Sequence, residues 1–212
     1  MSDVPRETEL SERYSAIPGM GDFADILATR GVERGLIGPR EVPRLWSRHL
    51  VNCAVVAEEA TDDMPIGCTV ADVGSGAGLP GLVWALVRPD LRVTLIEPLL
   101  RRATFLSETV AELSLSDRVE VLRARAEVVS PRTFDVVTAR AVARLPQLLS
   151  WTLPLTAVDG VVLALKGSSA VQEVQDVGAL GASLGAGAIS IRTYGVSTID
   201  PPTTVVRVPR IR

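Results

Sequence analysis

The feature that most constrains the fold of this sequence is a glycine-rich turn directly after a short apolar run. Residues 70–81 read Val-Ala-Asp-Val-Gly-Ser-Gly-Ala-Gly-Leu-Pro-Gly, and the apolar residues before the first glycine predict a buried strand. Glycine is needed in such a turn because the chain bends sharply and a ligand approaches the backbone closely. The segment therefore predicts a strand, a ligand-binding turn and a helix, as in nucleotide-binding α/β proteins.

After this turn, short apolar runs alternate with stretches of helical spacing, which is typical of a parallel sheet with helices on both faces. We predict strands at residues 68–73, 92–97, 119–123, 134–139 and 158–165, helices at 79–87, 99–114, 145–155 and 168–180, and a closing antiparallel pair at 187–194 and 203–210. The Gly/Ala-rich stretch 178–187 is expected to be a mobile loop. The predicted fold class is α/β, a doubly wound, mostly parallel seven-stranded sheet.

Residues 1–60 have helical spacing and no strand alternation, so we predict a helical extension. One amphipathic helix is indicated by Phe23, Ile26 and Leu27, and a second by Val42, Leu45, Trp46, His49, Leu50 and Cys53. Glycine-containing turns at 19–21 and 35–39 separate the two. Because this segment is too short to form a core of its own, it is expected to pack on a domain of residues 61–212.

Several functional classes are disfavoured by composition. No apolar stretch approaches the roughly 20 residues that cross a bilayer, and the first ten residues are polar and acidic rather than signal-like. Cys53 and Cys68 are isolated and His49 is the only histidine, which argues against a disulfide framework and against a metal site. We therefore expect a cytoplasmic protein with no membrane partner and no metal. A monomer is expected, although no sequence feature defines the oligomeric state.

The glycine turn alone admits two cofactors. Gly76, Gly78 and Gly81 also fit the G-x-G-x-x-G pattern of dinucleotide-binding proteins, with Glu97 about 20 residues further on. Asp72 favours another ligand, because a carboxylate at the strand tip suits the cationic sulfonium amino acid of S-adenosylmethionine and repels a pyrophosphate. We predict S-adenosylmethionine, with a nicotinamide dinucleotide as the alternative.

Two further sites border the predicted cofactor crevice. Glu97 ends the second strand, where a carboxylate can accept hydrogen bonds from both ribose hydroxyls, and a cap of the following helix is the less favoured alternative. Ala126 and Glu127 follow the third strand and can border the adenine. The alternative for Glu127 is a solvent-exposed acidic residue in a loop that binds no ligand. The ribose and the adenine are thus assigned to the ends of neighbouring strands.

The chain lacks the motifs by which many methyltransferases activate their target. Residues 138–144, after the fourth strand, contain no Asn/Asp-Pro-Pro-aromatic box, Asp200-Pro-Pro-Thr203 comes too late and predicts a turn, and no Pro-Cys nucleophile is present. Methyl transfer from a sulfonium mainly needs alignment, and an aromatic nitrogen with a free lone pair, such as guanine N7, needs no general base. The sequence therefore predicts a target atom that is already nucleophilic.

Positive charge gathers at the predicted carboxyl ends of the strands, on Arg101, Arg102, Arg123, Arg125, Arg140, Arg144 and Lys166. Several cations on one rim suit a polyanionic substrate. The formal net charge of -3 does not by itself indicate a polyanionic substrate. Of the 22 basic residues only Lys166 is a lysine, so almost all the positive charge is carried by arginine. Two plainer explanations stay open, namely neutralisation by neighbouring glutamates and a GC-rich genome that favours arginine codons.

A set of motifs in fixed order resembles the ribosomal RNA small subunit methyltransferase G family, also called glucose-inhibited division protein B. They are Trp46-Ser-Arg-His-Leu50, the segment Asp72–Gly81, Glu97 with Arg101-Arg-Ala-Thr-Phe-Leu106, Arg125-Ala-Glu127, Arg140-Ala-Val-Ala143 and Leu165-Lys-Gly167. The resemblance covers about residues 20–195. It implies a class I S-adenosylmethionine-dependent methyltransferase that methylates N7 of a guanine (position 527, in the 530 loop) of 16S ribosomal RNA, with loss of activity linked to streptomycin resistance.

The resemblance also implies roles for single residues. The implied cofactor contacts are Asp72, Gly74, Gly76, Gly78, Leu79, Glu97, Ala126, Glu127 and Arg140. The implied catalytic residues are Arg140, His49 and Lys166, which with Arg48 would face the target base or the RNA of the small ribosomal subunit.

Two departures from the family pattern leave alternatives open. The family often has aspartate and serine where Asn52 and Cys53 stand, so a buried or capping role for His49 is not excluded, and a lysine is common at Arg101. Trp46 fits a core position as well as a base-stacking one. Two other functions also remain open, a methyltransferase for a small molecule or protein and a non-catalytic cofactor-binding factor in ribosome maturation.

Overall fold

The N-terminal part of the chain is helical in the computed structural model, which describes residues 6–129 and 131–212. Its elements are α1 (Glu7–Ser15), α2 (Met20–Ile26) with a π-helical turn at Leu27–Gly31, a 3-10 helix at Pro39–Arg44, and a π-helical turn at Trp46–Leu50 that leads into α3 (Val51–Glu59). Among these described residues, no helix has the length and apolarity that a bilayer span requires.

Alternating strands and helices follow, as predicted. They are β1 (Thr69–Val73), α4 (Gly81–Val87), β2 (Arg92–Ile96), α5 (Leu100–Glu112), β3 (Val119–Leu122), β4 (Phe134–Arg140), α6 (Leu145–Thr152), β5 (Thr156–Lys166), α7 (Ala170–Ser183), β6 (Ser190–Tyr194) and β7 (Thr203–Pro209), with short 3-10 helices at Ala126–Val128 and Leu153–Leu155. Each of the seven predicted strands is confirmed.

The sheet has the strand order β3-β2-β1-β4-β5-β7-β6, with β7 antiparallel to both of its neighbours. The chain moves outward from β1 to β3 and then returns to the other side of β1 with β4, so the order reverses between β1 and β4. Ligands bind outside the carboxyl ends of the strands at such a reversal. Pairing of Asp72 with Thr138 brings the end of β1 and the end of β4, which is Arg140, to the same rim.

An apolar core covers each face of the sheet, and the core on one face includes the N-terminal helices. Tyr14 and Phe23 are buried in the same cluster as Leu82 and Trp84 of α4. The indole of Trp84 donates a hydrogen bond of 3.0 Å to the carbonyl of Cys53. The N-terminal segment therefore buries its apolar face against the sheet domain. Because one apolar core contains residues from both parts, the division of the chain into an extension and a domain near residue 60 stays a prediction.

Some predicted boundaries were wrong. The helix predicted at 79–87 begins at Gly81, the turn predicted at 19–21 already contains the start of α2, and α1 was not predicted as a separate element. The mobile loop predicted at 178–187 is instead largely helical, since α7 continues to Ser183 through a kink at Gly178. Burial of Val177, Gly181 and Ala186 against the second core explains why this Gly/Ala-rich stretch is ordered.

Candidate functional site

A cavity of about 350 Å³ lies outside the carboxyl ends of β1 and β2. Its wall contains four of the residues predicted to bind the cofactor, which are Gly74, Glu97, Ala126 and Glu127. We call it the cofactor cavity. Its position is the strand-order reversal at which an α/β sheet binds its ligand.

Asp72, near the end of β1, is fully buried, and only one of its two carboxylate oxygens has a hydrogen-bond partner. Its Oδ2 accepts a hydrogen bond of 3.0 Å from the backbone N–H of Gly81, whereas its Oδ1 has no partner among the described residues. Burial raises the pKa of Asp72 to about 7, and the Gly81 N–H opposes this rise. A buried carboxylate with an unused acceptor is costly unless a cation or donor joins it.

The glycine turn is shaped by its close neighbours. Gly74 has φ +70°, and a Cβ there would lie 2.7 Å from a methyl carbon of Val142. At Gly78 a Cβ would lie 2.4 Å from Leu82, so this glycine is needed for packing of the turn on α4. The other predicted cofactor residues lie outside the lining of the cofactor cavity, and their contact with a cofactor stays a prediction; they are Asp72, Gly76, Gly78, Leu79 and Arg140.

Glu97 ties the glycine turn to the start of α5. It is 2 % exposed, and its two oxygens accept 3.0 Å hydrogen bonds from the backbone N–H groups of Gly76 and Leu99. The guanidinium of Arg102 lies 4.0 Å away. A carboxylate has about four acceptor positions, so Glu97 can hold the turn and still accept the hydroxyls of a ribose.

The far end of the cofactor cavity is apolar and partly aromatic. Ala126 is buried at the start of its 3-10 helix, and Glu127 beside it is exposed. Trp151 of α6 also lines the cavity, and sequence reasoning missed it. No signal could have found it, because Trp151 lies in a predicted helix whose apolar residues all fit core positions.

A second cavity, of about 450 Å³, lies beside the first and is lined by Asn52, Arg140 and Lys166 among others. Ala141 and Val142 line both cavities and form the partition between them. Ala141 has φ +55°, a conformation that non-glycine residues rarely adopt and that concentrates at functional sites. We call this space the substrate cavity.

Arg140 connects the substrate cavity to the N-terminal segment. One guanidinium nitrogen is hydrogen-bonded to Nδ1 of His49. The other lies 3.4 Å from the carbonyl of Arg48 and 3.4 Å from the sulfur of Cys53. Nε2 of His49 in turn lies 3.2 Å from a carboxylate oxygen of Glu41. Sequence reasoning missed Glu41 and Cys53 as partners, since neither stands at a spacing that marks such a contact.

Three of these groups have shifted pKa values. The hydrogen bond with His49 lowers the pKa of Glu41. Burial and the positive charge of Arg140 lower the pKa of His49, while Glu41 acts in the opposite direction. Burial raises the pKa of the Cys53 thiol, so this cysteine is a neutral hydrogen-bond partner rather than a nucleophile.

Lys166 is part of a buried network that holds the loop after β4. Its ammonium donates 2.7 Å hydrogen bonds to the carboxylate of Glu173 and to the carbonyl of Ala143, and the Lys166 and Glu173 side chains are each 9 % exposed. Glu173 also accepts hydrogen bonds from the N–H of Leu145 and the hydroxyl of Ser169. Burial raises the pKa of Glu173, but these donors outweigh burial and lower it overall.

The predicted rim arginines differ in their surroundings. Arg144 is paired with Asp176 at 2.8 Å, and Arg48 lies 3.6 Å from Glu41. The exposed side chains of three others make no ion pair within residues 6–129 and 131–212, namely Arg101, Arg123 and Arg125. Neutralisation by glutamates therefore does not account for these three. In the same residues no cluster of three or more metal-ligating side chains is found.

Comparisons with known proteins agree on one family. A family model described as rRNA small subunit methyltransferase G matches residues 16–195. The ribosomal RNA small subunit methyltransferase G of Salinispora tropica is 54 % identical over 197 residues, covering 90 % of this chain and 80 % of the relative. The protein of the same name from a Nocardioides species is 53 % identical over 207 residues, covering 97 % and 80 %.

Among solved structures, the S-adenosylmethionine-dependent methyltransferase SibL in its apo form superposes with a TM-score of 0.63. The match covers 95 % of this chain and 72 % of SibL, at 18 % sequence identity. At that identity the likeness concerns the fold, which is that of the class I S-adenosylmethionine-dependent methyltransferases.

Proposed function

Because this chain belongs to the ribosomal RNA small subunit methyltransferase G family, we propose that it methylates N7 of a guanine in 16S ribosomal RNA. S-adenosylmethionine is the proposed methyl donor and the small ribosomal subunit or its RNA the acceptor. The observation on which this depends most is the partition of Ala141 and Val142, which is shared by the cofactor and substrate cavities. A base in the second cavity would lie next to a methyl group presented from the first.

The residues of the cofactor cavity fit S-adenosylmethionine. Asp72 is fully buried and does not line the cavity, but it directly precedes the lining residues Val73 and Gly74. Its unpartnered Oδ1 is the proposed acceptor for a cationic ligand, and the same carboxylate disfavours the pyrophosphate of a dinucleotide. Glu97 has acceptor capacity left for ribose hydroxyls, and Ala126, Glu127 and Trp151 would border the adenine. When bound, S-adenosylmethionine supplies an electrophilic methyl group on its sulfonium.

The substrate cavity fits a target atom that needs no deprotonation. The titratable side chains that line it are the guanidinium groups of Arg140 and Arg144, the ammonium of Lys166 and the carboxylate of Glu173. The guanidinium and ammonium groups can only donate hydrogen bonds. Glu173 accepts three hydrogen bonds and has a lowered pKa, so it is a poor proton acceptor. Guanine N7 has a free lone pair and requires no base.

We assign different roles to the three predicted catalytic residues. Arg140 lines the substrate cavity and is the proposed contact to the target base. Lys166 would keep the loop after β4 in place through Ala143 and Glu173. His49 reaches the cavity through its hydrogen bond to Arg140.

The exposed arginines of the rim are the proposed contacts to the RNA backbone. Arg101, Arg123 and Arg125 are exposed near the mouth of the cofactor cavity, and arginine binds phosphate well through its planar set of donors. The guanine would have to leave its stacked position to enter the substrate cavity, as in other enzymes that act on a base. A cytoplasmic location is proposed because the ribosomal substrate is found there, and loss of the methyl group is the proposed cause of streptomycin resistance.

The direct test is transfer of labelled methyl groups to small ribosomal subunits from cells that lack the enzyme, followed by chemical cleavage at N7-methylguanine. We expect one cleavage site, within the 530 loop, and no label on protein or small-molecule acceptors. Subunits from cells that contain the enzyme are the control, since their site is already methylated. Label at another atom, or none despite S-adenosylmethionine binding, would refute the proposal.

A further inference from the structure

The one histidine of the chain lies between an arginine of the substrate cavity and a glutamate of the N-terminal segment. We propose that His49 and Glu41 are positioning residues that hold the Arg140 guanidinium toward the substrate cavity, and that only the neutral imidazole of His49 does so. The expected effect on the rate of methyl transfer rests on the proposed function. The hydrogen bonds and tautomer of His49 can be tested without measuring activity.

The contacts of Arg140 show why its orientation depends on His49. Its first guanidinium nitrogen makes only long contacts, at 3.4 Å to the carbonyl of Arg48, 3.5 Å to the carbonyl of His49 and 3.4 Å to the sulfur of Cys53. Contacts of this length are weak. The second nitrogen is hydrogen-bonded to Nδ1 of His49, so removal of this acceptor leaves only the weak contacts of the first nitrogen to hold the side chain.

The chemistry of the two groups fixes the tautomer of His49. A guanidinium has only donors, so Nδ1 must accept from Arg140, and the ring proton must then lie on Nε2. Nε2 is 3.2 Å from Glu41 and can donate to its carboxylate. A doubly protonated imidazole would direct Nδ1–H against the N–H of Arg140. Protonation of His49 therefore breaks the contact that orients Arg140.

The charged groups around His49 favour the neutral ring. Arg140 approaches from β4 and Arg48 lies on the same π-helical turn, and both lower the pKa of His49 together with burial. Glu41, from the 3-10 helix, opposes them and is itself paired with Arg44. The Cys53 thiol and Asp72 also interact with the charge of Arg140, and Arg144, Lys166 and Glu173 line the same cavity as Arg140.

Asp72 needs a control of its own, because its pKa of about 7 lies in the range where His49 also titrates. An acid-side loss of activity could therefore come from either group. The two are separated by a variant that removes the imidazole and leaves Asp72 unchanged.

Two substitutions of His49 separate its two hydrogen bonds. In His49→Asn the amide oxygen takes roughly the position of Nδ1, so an acceptor for Arg140 remains and the contact to Glu41 is lost. In His49→Gln the amide group reaches roughly the position of Nε2, so the contact to Glu41 remains and the acceptor for Arg140 is lost. Neither amide titrates, and the two variants are similar in size and polarity.

The experiment measures kcat, KM for undermethylated small subunits and affinity for S-adenosylmethionine across the acidic to neutral pH range. We expect His49→Gln to lower kcat by about 10- to 100-fold, as loss of alignment does, with cofactor affinity within about twofold, and His49→Asn to retain most of the turnover. At saturating cofactor the wild type should lose kcat as the pH falls through a value below the ordinary histidine pKa, and this step should be absent from His49→Asn, in which any remaining acid step belongs to Asp72. Equal rates of the two variants, or an acid limb of unchanged position and steepness in His49→Asn, would overturn the proposal.

Glu41→Gln adds an independent readout. Because Glu41 raises the pKa of His49, this variant should move the acid limb of the pH profile to lower pH. A purely structural role of Glu41 would lower stability and leave the position of the limb unchanged, and that result would remove Glu41 from the proposal.

The structural part of the inference is tested by ¹H-¹⁵N NMR of the imidazole, which is unambiguous because His49 is the only histidine. We expect the neutral ring with its proton on Nε2, and a higher pKa of His49 in Arg140→Ala, because a neighbouring positive charge is removed. A proton on Nδ1 would overturn the arrangement whether or not the protein methylates RNA. If the NMR result holds and no RNA is methylated, the proposed function fails and the Arg140–His49 pair stands.

Discussion

Arg140 and His49, 91 positions apart in the chain, are joined by a hydrogen bond between guanidinium and imidazole at the edge of the substrate cavity. Arg140 ends β4 of the sheet, whereas His49 belongs to the N-terminal helical segment. Asn52 of the same segment also lines that cavity. The N-terminal segment is therefore part of the site, and the sheet domain without it would have a cofactor cavity and an incomplete substrate cavity.

Substitution of Asp72 by asparagine should stabilise the cofactor-free protein and weaken cofactor binding. The folded state raises the pKa of Asp72 from 3.8 to about 7, so it binds more protons than the unfolded state between these values. Stability is therefore lost as the pH rises through this range. At pH 8, Asp72→Asn should raise the free energy of unfolding by about 1 to 3 kcal/mol, and the gain should shrink toward pH 4.

Urea unfolding at pH 5 and pH 8 measures this effect, and calorimetric titration with S-adenosylmethionine measures the expected loss of affinity of at least about tenfold, typical of a lost charged contact. The exposed Asp117 supplies a matched control, since Asp117→Asn should change neither quantity. If Asp72→Asn destabilised the protein equally at both pH values, the buried carboxylate would not be unfavourable in the cofactor-free protein.

Gly74→Ala should disrupt the partition between the two cavities. The added Cβ would lie 2.7 Å from a methyl carbon of Val142, and the residue would also have to adopt φ +70°. The backbone strain alone costs about 1 kcal/mol. We expect this cost in the free energy of unfolding together with a loss of methyl transfer of more than about tenfold, because Val142 must move.

Gly35→Ala is the control variant, because it has the backbone strain of a positive φ without a steric clash. Gly35 has a similar φ of +66°, but a Cβ added there would meet no atom within 4 Å, so its alanine variant should lose a similar amount of stability and keep full activity. Both variants are measured by urea unfolding and by methyl transfer at saturating cofactor. Full activity of Gly74→Ala would show that the partition does not matter for the reaction.

The strands of the sheet could be predicted from the sequence because each is marked by a local pattern of residues. The apolar run before Gly74 and the carboxylates Asp72 and Glu97 stand at positions set by the strand-turn-helix pattern itself. Trp151 and Glu41 were not predicted as site residues because their roles arise from the packing of α6 and of the 3-10 helix on distant parts of the chain. The predicted loop at 178–187 failed because burial of Gly181 outweighs the low helix propensity of glycine.

Trp151 should report cofactor binding by its fluorescence. It lines the cofactor cavity, whereas Trp84 is fully buried in the core and Trp46 packs on the N-terminal side of that core. We expect S-adenosylmethionine to change the emission of the wild type and of Trp46→Phe, and to leave that of Trp151→Phe unchanged. Trp151→Ala should weaken binding by about tenfold, in line with loss of an aromatic contact of about 1.5 kcal/mol. A binding signal that survives in Trp151→Phe would place the adenine elsewhere.

Replacement of Arg123 and Arg125 together by alanine should weaken binding of the RNA substrate and reduce its salt dependence. Both side chains are exposed and make no ion pair within the described residues, and Arg125 lines the cofactor cavity. Each phosphate contact contributes about 0.7 to 0.9 to the slope of the logarithm of the binding constant against the logarithm of the salt concentration. Loss of two contacts should therefore reduce the slope by about 1.5.

Arg92 supplies the control for this experiment. It is also an exposed arginine, but it begins β2 and so lies at the amino-terminal end of the strands, opposite to the end at which the cavities lie. Arg92→Ala should leave the salt dependence unchanged if binding is confined to the rim. The measurement is a filter-binding titration of undermethylated small subunits at several salt concentrations. Equal losses per arginine removed in Arg92→Ala and in the double variant would mean that the RNA is attracted by overall arginine content, since a rim-specific site predicts a reduced slope for the double variant alone.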